Sequence, residues 1–284
     1  MSWHPNDLVT DLDLVAYEKQ ILTQFNATDW KDRRTKAIED WLFPLLESRG
    51  FTPERLRTRH TPVAAFGYTS STYTDKASAA ATDNGLVLST ILAGASDALY
   101  VGFGSPFRGI SMRATTTVNA VASTLGVSVW ADAWEGVQNL VNGTQVGSLS
   151  FAKGGSLTWR LPEGIVSRSL NSSDPLYWAK LTLTVAPTSG TAIGPISVIR
   201  RSRLCAAVTL RTLALIFREA PTDIDGPWQD KAEWYEKQAD QAFQRVAEQL
   251  GPEFDQDSDD TIGAAERAQT TASVNDGGWR YERA

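Results

Sequence analysis

Hydrophobic positions near the beginning of the chain recur at spacings of three and four residues, which is the period of an amphipathic helix. Two such series lie between residues 6 and 49: Leu14, Tyr17, Ile21 and Phe25, then Ile38, Trp41, Leu42, Leu45 and Leu46. They predict two helices. The second should begin after the N-cap candidates between Asn26 and Asp29 and end at Gly50. It should bend or break near Phe43, because Pro44 lacks an amide hydrogen.

The helical period returns between residues 199 and 250. A series that starts at Ile199 and continues through Leu204 and Leu215 predicts a long helix ending near Glu219. After a loop, a second helix is predicted from about Trp228 to Leu250, with polar residues opposite its apolar stripe. That stripe consists of Ala232, Tyr235, Ala239, Phe243, Val246 and Leu250.

From Thr61 to Ser197 apolar residues alternate with polar ones, as they do along half-buried strands. The clearest series are Leu125, Val127 and Val129; Leu157, Trp159 and Leu161; and Ala179, Leu181, Leu183 and Val185. Turn signals such as Asn84-Gly85 and Asn142-Gly143 separate the runs. The pattern predicts an antiparallel β-sandwich of about seven to nine strands.

The order of helices, strands and helices predicts an α+β fold with a β-sandwich inserted into a helical domain. Each helix pair alone is too small to bury its apolar stripe, so the two pairs should form one discontinuous four-helix domain. The predicted boundaries are 1–62 and 199–252 for the helical domain and 63–198 for the inserted sandwich. Residues 253–284 are acidic and poor in apolar side chains, and we expect them to form an extended, flexible C-terminal arm.

Charge and cysteine content narrow the functional classes. The formal net charge of −6 argues against a chain that coats DNA or an anionic membrane, since both require a basic surface. The single cysteine, Cys205, excludes an intrachain disulfide, fits a reducing cytosol, and lies on an apolar stripe as a buried cysteine would. No apolar stretch approaches the roughly 20 residues of a membrane-spanning helix.

The sequence contains no catalytic motif. His4 and His60 lie in predicted irregular segments, and Gly102-Phe-Gly104 lacks the third glycine of a dinucleotide-binding loop and is interpreted as a turn. Acidic pairs such as Asp132 and Glu135 resemble the carboxylates of a glycosidase, but any acidic chain supplies such pairs. These observations predict a protein that is not an enzyme and has no cofactor.

One acidic cluster has the spacing of a calcium-binding loop. Its ligand candidates are Asp255, Asp257, Asp259, Thr261 and Glu266. Asp260, however, stands where such a loop needs glycine, and no apolar helix stripe follows Glu266. The sequence therefore favours a solvated acidic linker over a metal site.

Both predicted crossings between the helical domain and the sandwich are basic. The first contains Arg55, Arg57 and Arg59, and the second contains Arg200, Arg201 and Arg203. Two interpretations remain open: ordinary surface charge, or a ring of arginines that faces an acidic protein or passing DNA.

Several segments together resemble the head–tail connector, or adaptor, proteins of tailed bacteriophages. The helical half of that family matches Cys205 to Ala214, the loop Asp223-Ile-Asp-Gly-Pro227, the core Lys231-Ala-Glu-Trp-Tyr235, and the acidic run Asp255 to Asp259. The middle of the chain resembles a jelly-roll-like module of phage virion proteins in Val129-Trp130, Trp134 to Val137, Val141 to Thr144, Ser156 to Pro162, and Tyr177-Trp178. The insertion is a departure, because many adaptors are purely helical.

The resemblance implies a structural protein of the virion neck, assembled in the host cytoplasm. It implies a ring of about twelve copies that joins the portal protein to a tail, stopper or fibre protein and keeps the DNA channel continuous. It also implies that the C-terminal arm grips the portal. Trp279, Arg280 and Tyr281, which follow two glycines, are the candidate anchors, since large aromatics and arginine dominate binding hot spots.

A rival hypothesis is a carbohydrate-binding or receptor-binding module on a helical scaffold. Aromatic residues of the sandwich could line a sugar platform, namely Trp130, Trp134, Trp159, Tyr177 and Trp178. Core packing is a simpler explanation for Trp159, which shares the parity of Leu157 and Leu161. Trp130 and Trp134 are the candidates for contact with a glycan or a protein.

Overall fold

A computed structural model describes residues 8–25, 27, 29–53, 56, 58–114, 117–162, 164–219, 227–247 and 250. The chain divides into two compact units. The first, the helical unit, contains the chain up to Thr58 and from Ser202 onward, and the second, the β unit, runs from Arg59 to Arg201. The protein is thus a mixed α+β fold, and no described helix is long and apolar enough to span a lipid bilayer.

The described helices are α1 (Asp11–Tyr17), α2 (Ile21–Gln24), α3 (Lys31–Lys36), α4 (Phe43–Glu47), α5 (Ala77–Ala80), α6 (Leu88–Ile91), α7 (Cys205–Arg218) and α8 (Pro227–Ala247). A π-helical segment, Ala37–Leu42, connects α3 to α4.

Helix α7 is the centre of the helical unit, because it is buried on nearly every side, including Cys205, Thr209 and Thr212. The hydroxyls of both threonines donate to carbonyls one turn earlier, so the buried polar groups are paired. Helix α8 packs along α7 through the predicted stripe, of which Ala232, Tyr235, Ala239 and Phe243 are buried. Val246 is only half-buried, and Ala247 takes its place in the core.

The first predicted helix is wrong as a continuous element, because the chain leaves helical geometry between α1 and α2. Glu18 is extended there, and its carboxylate accepts a hydrogen bond from the Tyr235 hydroxyl and lies 2.6 Å from the Lys231 ammonium. The break therefore coincides with a tertiary contact that no local pattern predicts. Tyr17, placed on the apolar stripe by its spacing, is 45% exposed.

The second predicted helix runs from Lys31 to Glu47 without a break, but its middle widens into the π-helical segment. In that segment the amide of Phe43 donates to the carbonyl of Ile38, five residues back, directly before Pro44. The break expected near Phe43 is therefore absent, and the segment before Pro44 is a π turn instead. Gly50, at φ +80°, ends the element with the Phe51 amide donating to the Leu46 carbonyl.

The β unit contains twelve described strands, more than the seven to nine predicted. They are β1 (Arg59–His60), β2 (Ala64–Thr69), β3 (Thr72–Asp75), β4 (Leu86–Val87), β5 (Ala98–Phe103), β6 (Phe107–Ala114), β7 (Leu125–Ala131), β8 (Ala133–Gly136), β9 (Gln138–Asn142), β10 (Gly155–Arg160), β11 (Tyr177–Leu183) and β12 (Ala192–Arg200). The prediction fell short because several strands have two to four residues, too few to show alternation.

The strands form two antiparallel sheets. In the first sheet the order is β1-β12-β6-β10-β9, with β4 also paired to β12, and in the second it is β3-β2-β5-β11-β7-β8. Both sheets contribute to one core, in which Leu99, Val127 and Leu181 meet Ile110, Leu157 and Val198. Strand β12 extends to Arg200, so the assignment of Ile199 to a helix was wrong. Val185 lies beyond the end of β11 and is exposed.

A buried polar network ties three loops together at one end of the β unit. The Asn119 side-chain amide donates to the carbonyls of Val121 and Ser150, and its oxygen accepts from the Val121 and Thr188 amides. Asn119 is 1% exposed, so these bonds replace water that cannot reach it. The Ser150 hydroxyl extends the network by donating to the Ser123 carbonyl.

Candidate functional site

The outer face of the second sheet carries an unusual number of aromatic residues. Along β2, β5 and β11 the residues that point away from the core alternate with core residues such as Ala65, Leu99 and Ala179. The outward positions include Phe66, Tyr68, Tyr100 and Trp178. The outer face of an antiparallel sandwich sheet is usually polar, so an aromatic one suggests contact with something besides water.

Strand register places these rings beside one another. Tyr68 is paired with Tyr73, Phe66 with Tyr100, and Trp130 with Trp134, each on adjacent antiparallel strands. Directly paired side chains lie on one face of a sheet, so the register gathers residues that are far apart in the sequence.

Five rings form a continuous strip from one edge strand of the sheet to the other. The centroids of Tyr68 and Tyr73 are 4.7 Å apart, those of Tyr73 and Tyr100 5.6 Å, those of Tyr100 and Trp134 5.2 Å, and those of Trp134 and Trp130 5.4 Å. Tyr100 is buried and the other four are half-buried. We call these five residues the aromatic strip.

A loop from Arg168 to Leu176 closes one side of the strip. Its ends are joined by backbone hydrogen bonds between Arg168 and Leu176 in both directions, at 2.9 and 3.0 Å. The indole nitrogen of Trp178 donates to the Arg168 carbonyl at 2.8 Å, and Leu170 packs into the same cluster. The buried Trp178 therefore fixes where this loop, and with it Arg168, stands over the sheet.

Two cations lie over the tryptophans. The Arg168 guanidinium carbon is 3.8 Å from the centroid of the Trp130 ring, and the Lys180 ammonium is 6.0 Å from that of Trp134. These distances suit cation–π contacts, which orient both side chains without occupying their N–H donors. Throughout the part of the chain that the structure describes, no carboxylate lies within ion-pair distance of either cation.

Tyr100 is the least accessible member of the strip, and its environment raises the pKa of its hydroxyl well above the ordinary value. Burial is the main cause. Tyr73, through its charge and a hydrogen bond, and Tyr68, through its charge, raise the pKa further, whereas the positive charge of Arg168 lowers it. At neutral pH the Tyr100 hydroxyl is therefore neutral, and it lies near the Arg168 guanidinium. Such a surface can stack on a flat or ring-shaped ligand, hydrogen-bond to it and neutralise a negative charge.

The structure separates the five aromatics of the predicted sugar platform. Trp130 and Trp134 lie together on the aromatic strip. Trp159 is buried in the core between the sheets, and the half-buried Tyr177 packs against that core and not on the strip. Trp178 is also buried, beneath the loop. The inward orientation predicted for Trp159 is confirmed, and a platform containing all five residues is wrong.

Sequence reasoning missed Tyr68, Tyr73, Tyr100, Arg168 and Lys180. A signal was present in Phe66-x-Tyr68, where aromatic residues alternate with core positions. The partners of this motif come from strands that are distant in the chain, so its parity alone does not show where they meet.

The structure brings together only some of the arginines predicted at the two domain crossings. Arg59 in β1 is paired with Ile199, which brings it next to Arg200 on the neighbouring strand. Both are half-buried, while Arg201 and, in the helical unit, Arg203 are exposed. Arg55 and Arg57 lie outside the described residues, so the predicted group is placed only in part.

Other expectations also fall outside the described residues. They concern the calcium-loop candidates Asp255, Asp257, Asp259, Thr261 and Glu266, and the arm residues Trp279, Arg280 and Tyr281. Within the described ranges no group of His, Cys, Asp and Glu side chains has the arrangement of a metal site. Gly102, expected in a turn, lies instead in β5, while Gly104 follows that strand.

No protein-family model matches the chain, and no curated protein is significantly similar to it in sequence.

Proposed function

We propose that this chain is a head–tail adaptor of a tailed bacteriophage, a non-enzymatic virion protein that forms a ring between the portal and the tail or neck components. The observation that carries the proposal is the helical unit, which is drawn from both ends of the chain around the α7–α8 hairpin. That hairpin lies in the segment whose residues resemble the helical half of the adaptor family.

Each protomer completes its own helical core. Helix α7 is enclosed by α8 and by the earlier helices, and Phe217 stacks on the rings of Trp228 and Tyr235. Glu236 of α8 accepts hydrogen bonds from Arg211 and Arg218 on α7. Because the helical core is formed within a single chain, we expect the ring to assemble from subunits that are already folded.

A closed ring needs heterologous contacts, in which each subunit offers two different surfaces. Trp234 on α8 is 54% exposed, with its ring against Tyr235 of the same helix. Exposed tryptophans are enriched at the centres of protein interfaces. We propose that Trp234 belongs to one of the two ring-forming surfaces.

The proposed partners follow the family pattern. The ring would contain about twelve copies. It would hold the portal through the arm residues Trp279, Arg280 and Tyr281, and present basic residues, among them Arg59, Arg200, Arg201 and Arg203, to an acidic partner or to passing DNA. Its distal partner would be a tail, stopper or fibre protein.

The test is attachment to portal-bearing heads from a phage stock that lacks this protein. The full chain should bind the heads and appear as a ring by electron microscopy. Deletion of residues 277–284 should remove attachment while leaving the melting temperature of the free protein nearly unchanged. Normal attachment by the truncated chain overturns the role of the arm, and failure of the full chain to bind heads overturns the adaptor proposal.

A second arm of the experiment examines the ring contact. Trp234→Ala should reduce the number of subunits on each head, whereas Gln241→Ala, an exposed residue on the same helix, should not. An unchanged ring in the Trp234 variant would remove that residue from the interface without affecting the portal contact.

A further inference from the structure

The aromatic strip presents two features that core packing leaves unused. The first is the half-exposed surface of Tyr68, Tyr73, Trp134 and Trp130, which follow one another across the sheet. The second is a pair of cations, Arg168 and Lys180, that are held over the tryptophan rings. Neither cation has a carboxylate partner among the described residues.

A ligand that uses both features needs ring-shaped apolar faces and a negative charge. Sugar rings stack on aromatic side chains through their C–H faces, and their hydroxyls pair with polar groups such as the phenols of Tyr68 and Tyr73. A carboxylate on the sugar would accept hydrogen bonds from the N–H donors of the Arg168 guanidinium, whose carbon lies 3.8 Å from the centroid of the Trp130 ring.

We propose that the aromatic strip binds an acidic carbohydrate, a chain of sugar rings that bear carboxylate groups. The sugar rings stack along Trp130, Trp134 and the two half-buried tyrosines, and Arg168 binds a carboxylate. Lys180 adds charge beside Trp134. The site lies wholly within the β unit and does not depend on the adaptor proposal.

Two observations favour an acidic glycan over a single-stranded nucleic acid, which also stacks on aromatic rings. A nucleic acid carries a charge on every nucleotide and needs a row of cations, whereas two cations flank this strip and the chain as a whole is acidic, with a net charge of −6. In addition, an exposed acid, Asp75 in β3, is paired with Phe66 on the same face of the sheet as the strip. It would repel a polyphosphate more than a glycan with widely spaced carboxylates.

The loop from Arg168 to Leu176 makes the site pre-formed. Trp178 fixes the Arg168 backbone through its indole hydrogen bond, and the Trp130 carbonyl accepts a hydrogen bond from the Val166 amide at 3.2 Å. The arginine is therefore positioned before a ligand arrives, which lowers the entropic cost of binding.

The experiment applies the full chain to an array of acidic and neutral glycans, and follows with calorimetry on oligogalacturonate, sialylated oligosaccharides and their neutral parents. We expect saturable binding to carboxylate-bearing glycans. Their neutral or carboxyl-reduced counterparts should bind at least about tenfold more weakly. Trp134→Ala and Arg168→Gln should each weaken binding at least about tenfold.

Two controls test whether the losses are specific. Arg113→Gln removes an exposed arginine and Val141→Ala an exposed apolar side chain, both from the first sheet of the same unit, so both should bind as the original chain does. Tyr73→Phe keeps the ring and its packing but removes a hydroxyl, so it should weaken binding even if Trp134→Ala fails to fold.

Four outcomes overturn the proposal: no binding to any acidic glycan, equal binding to the neutral parents, tighter binding to an oligothymidylate, or unchanged affinity in the folded Arg168 and Tyr73 variants. Attachment of the Trp134 variant to phage heads should be normal. The glycan proposal and the adaptor proposal can therefore fail separately.

Discussion

Gly102 lies directly beneath the ring of Trp178: a β-carbon built on Gly102 would stand 2.6 Å from the indole. Paired antiparallel strands bring the two residues together, since Gly102 in β5 is opposite Trp178 in β11. The missing side chain lets the indole lie close to the sheet, and from there it donates to the Arg168 carbonyl. One glycine thus controls the position of the loop that carries Arg168.

Replacing Gly102 with alanine should therefore displace Trp178, lower the free energy of unfolding by about 1–3 kcal/mol, and weaken the bond that fixes the loop. Urea denaturation and tryptophan fluorescence measure both effects. Gly104→Ala is the matched control, because a β-carbon there would have no neighbour within 4 Å, and it should change stability by less than about 0.5 kcal/mol. Equal stability of the two variants would contradict this account.

Asn119→Ala should be among the most destabilising polar substitutions in the β unit. It leaves the buried Ser150 carbonyl and half-buried backbone groups of Val121 and Thr188 unpaired, and we expect a loss of about 3 kcal/mol. Asn119→Asp puts a second carboxylate oxygen where the donor was, facing the carbonyls of Val121 and Ser150, so its loss at neutral pH should be at least as large. Gln138→Ala, at an exposed position in β9, serves as the control, and chemical denaturation provides the measurement.

The surroundings of Glu236 predict that the stability of the helical unit depends on pH. Its partial burial acts to raise its pKa, but the hydrogen bonds and charges of Arg211 and Arg218 outweigh burial and lower the pKa below the ordinary 4.5. A carboxyl with a lowered pKa stabilises the folded state above its ordinary pKa, and this stabilisation is lost as the pH falls through the lower folded-state value.

Glu236→Gln should consequently cost about 1–2 kcal/mol at neutral pH. The difference from the original chain should shrink as the pH is lowered below 4.5. Gln241→Ala, an exposed change on the same helix that removes no ionisable group, should show no such dependence. Denaturation midpoints measured across this range check the sign, and a difference that grows on acidification would show that the ion pairs do not act this way.

Cys205 is 1% exposed in the first turn of α7, so its thiol should react with a thiol-specific reagent only when the helical unit opens. We expect negligible modification in native buffer and complete modification in denaturant. The rate in dilute denaturant should rise with the population of opened molecules. Rapid labelling of the native protein would mean that this end of α7 frays.

Local periodicity predicted the elements whose burial is decided within a single strand or helix. The parity of Leu125, Val127 and Val129 in β7 and the spacing of Ala232, Tyr235 and Ala239 in α8 each determine a buried face by themselves. The aromatic strip could not be predicted in the same way, because Tyr73, Tyr100 and Trp134 belong to strands that register alone brings together.

Two wrong predictions of secondary structure, the continuous first helix and the helical Ile199, also arise from contacts between distant parts of the chain. The break after α1 occurs where Glu18 reaches Tyr235, more than two hundred residues further along the chain. Likewise, Ile199 has a spacing that suits either a strand or a helix, and its pairing with Gly109 and Arg59 decides for the strand. In both cases a long-range contact overrides a local preference.

The pairing of β1 with β12, with Arg59 opposite Ile199 and His60 opposite Val198, has a consequence for how the chain folds. An unfolded insertion would leave the two parts of the helical unit at the ends of a long loop, whose closure costs entropy that grows with the logarithm of its length. Once β1 and β12 are paired, the same parts are joined through a few residues, and the free-energy cost of closing the loop falls by about 3 kcal/mol. Folding of the insertion should therefore promote folding of the helices on either side of it in the sequence.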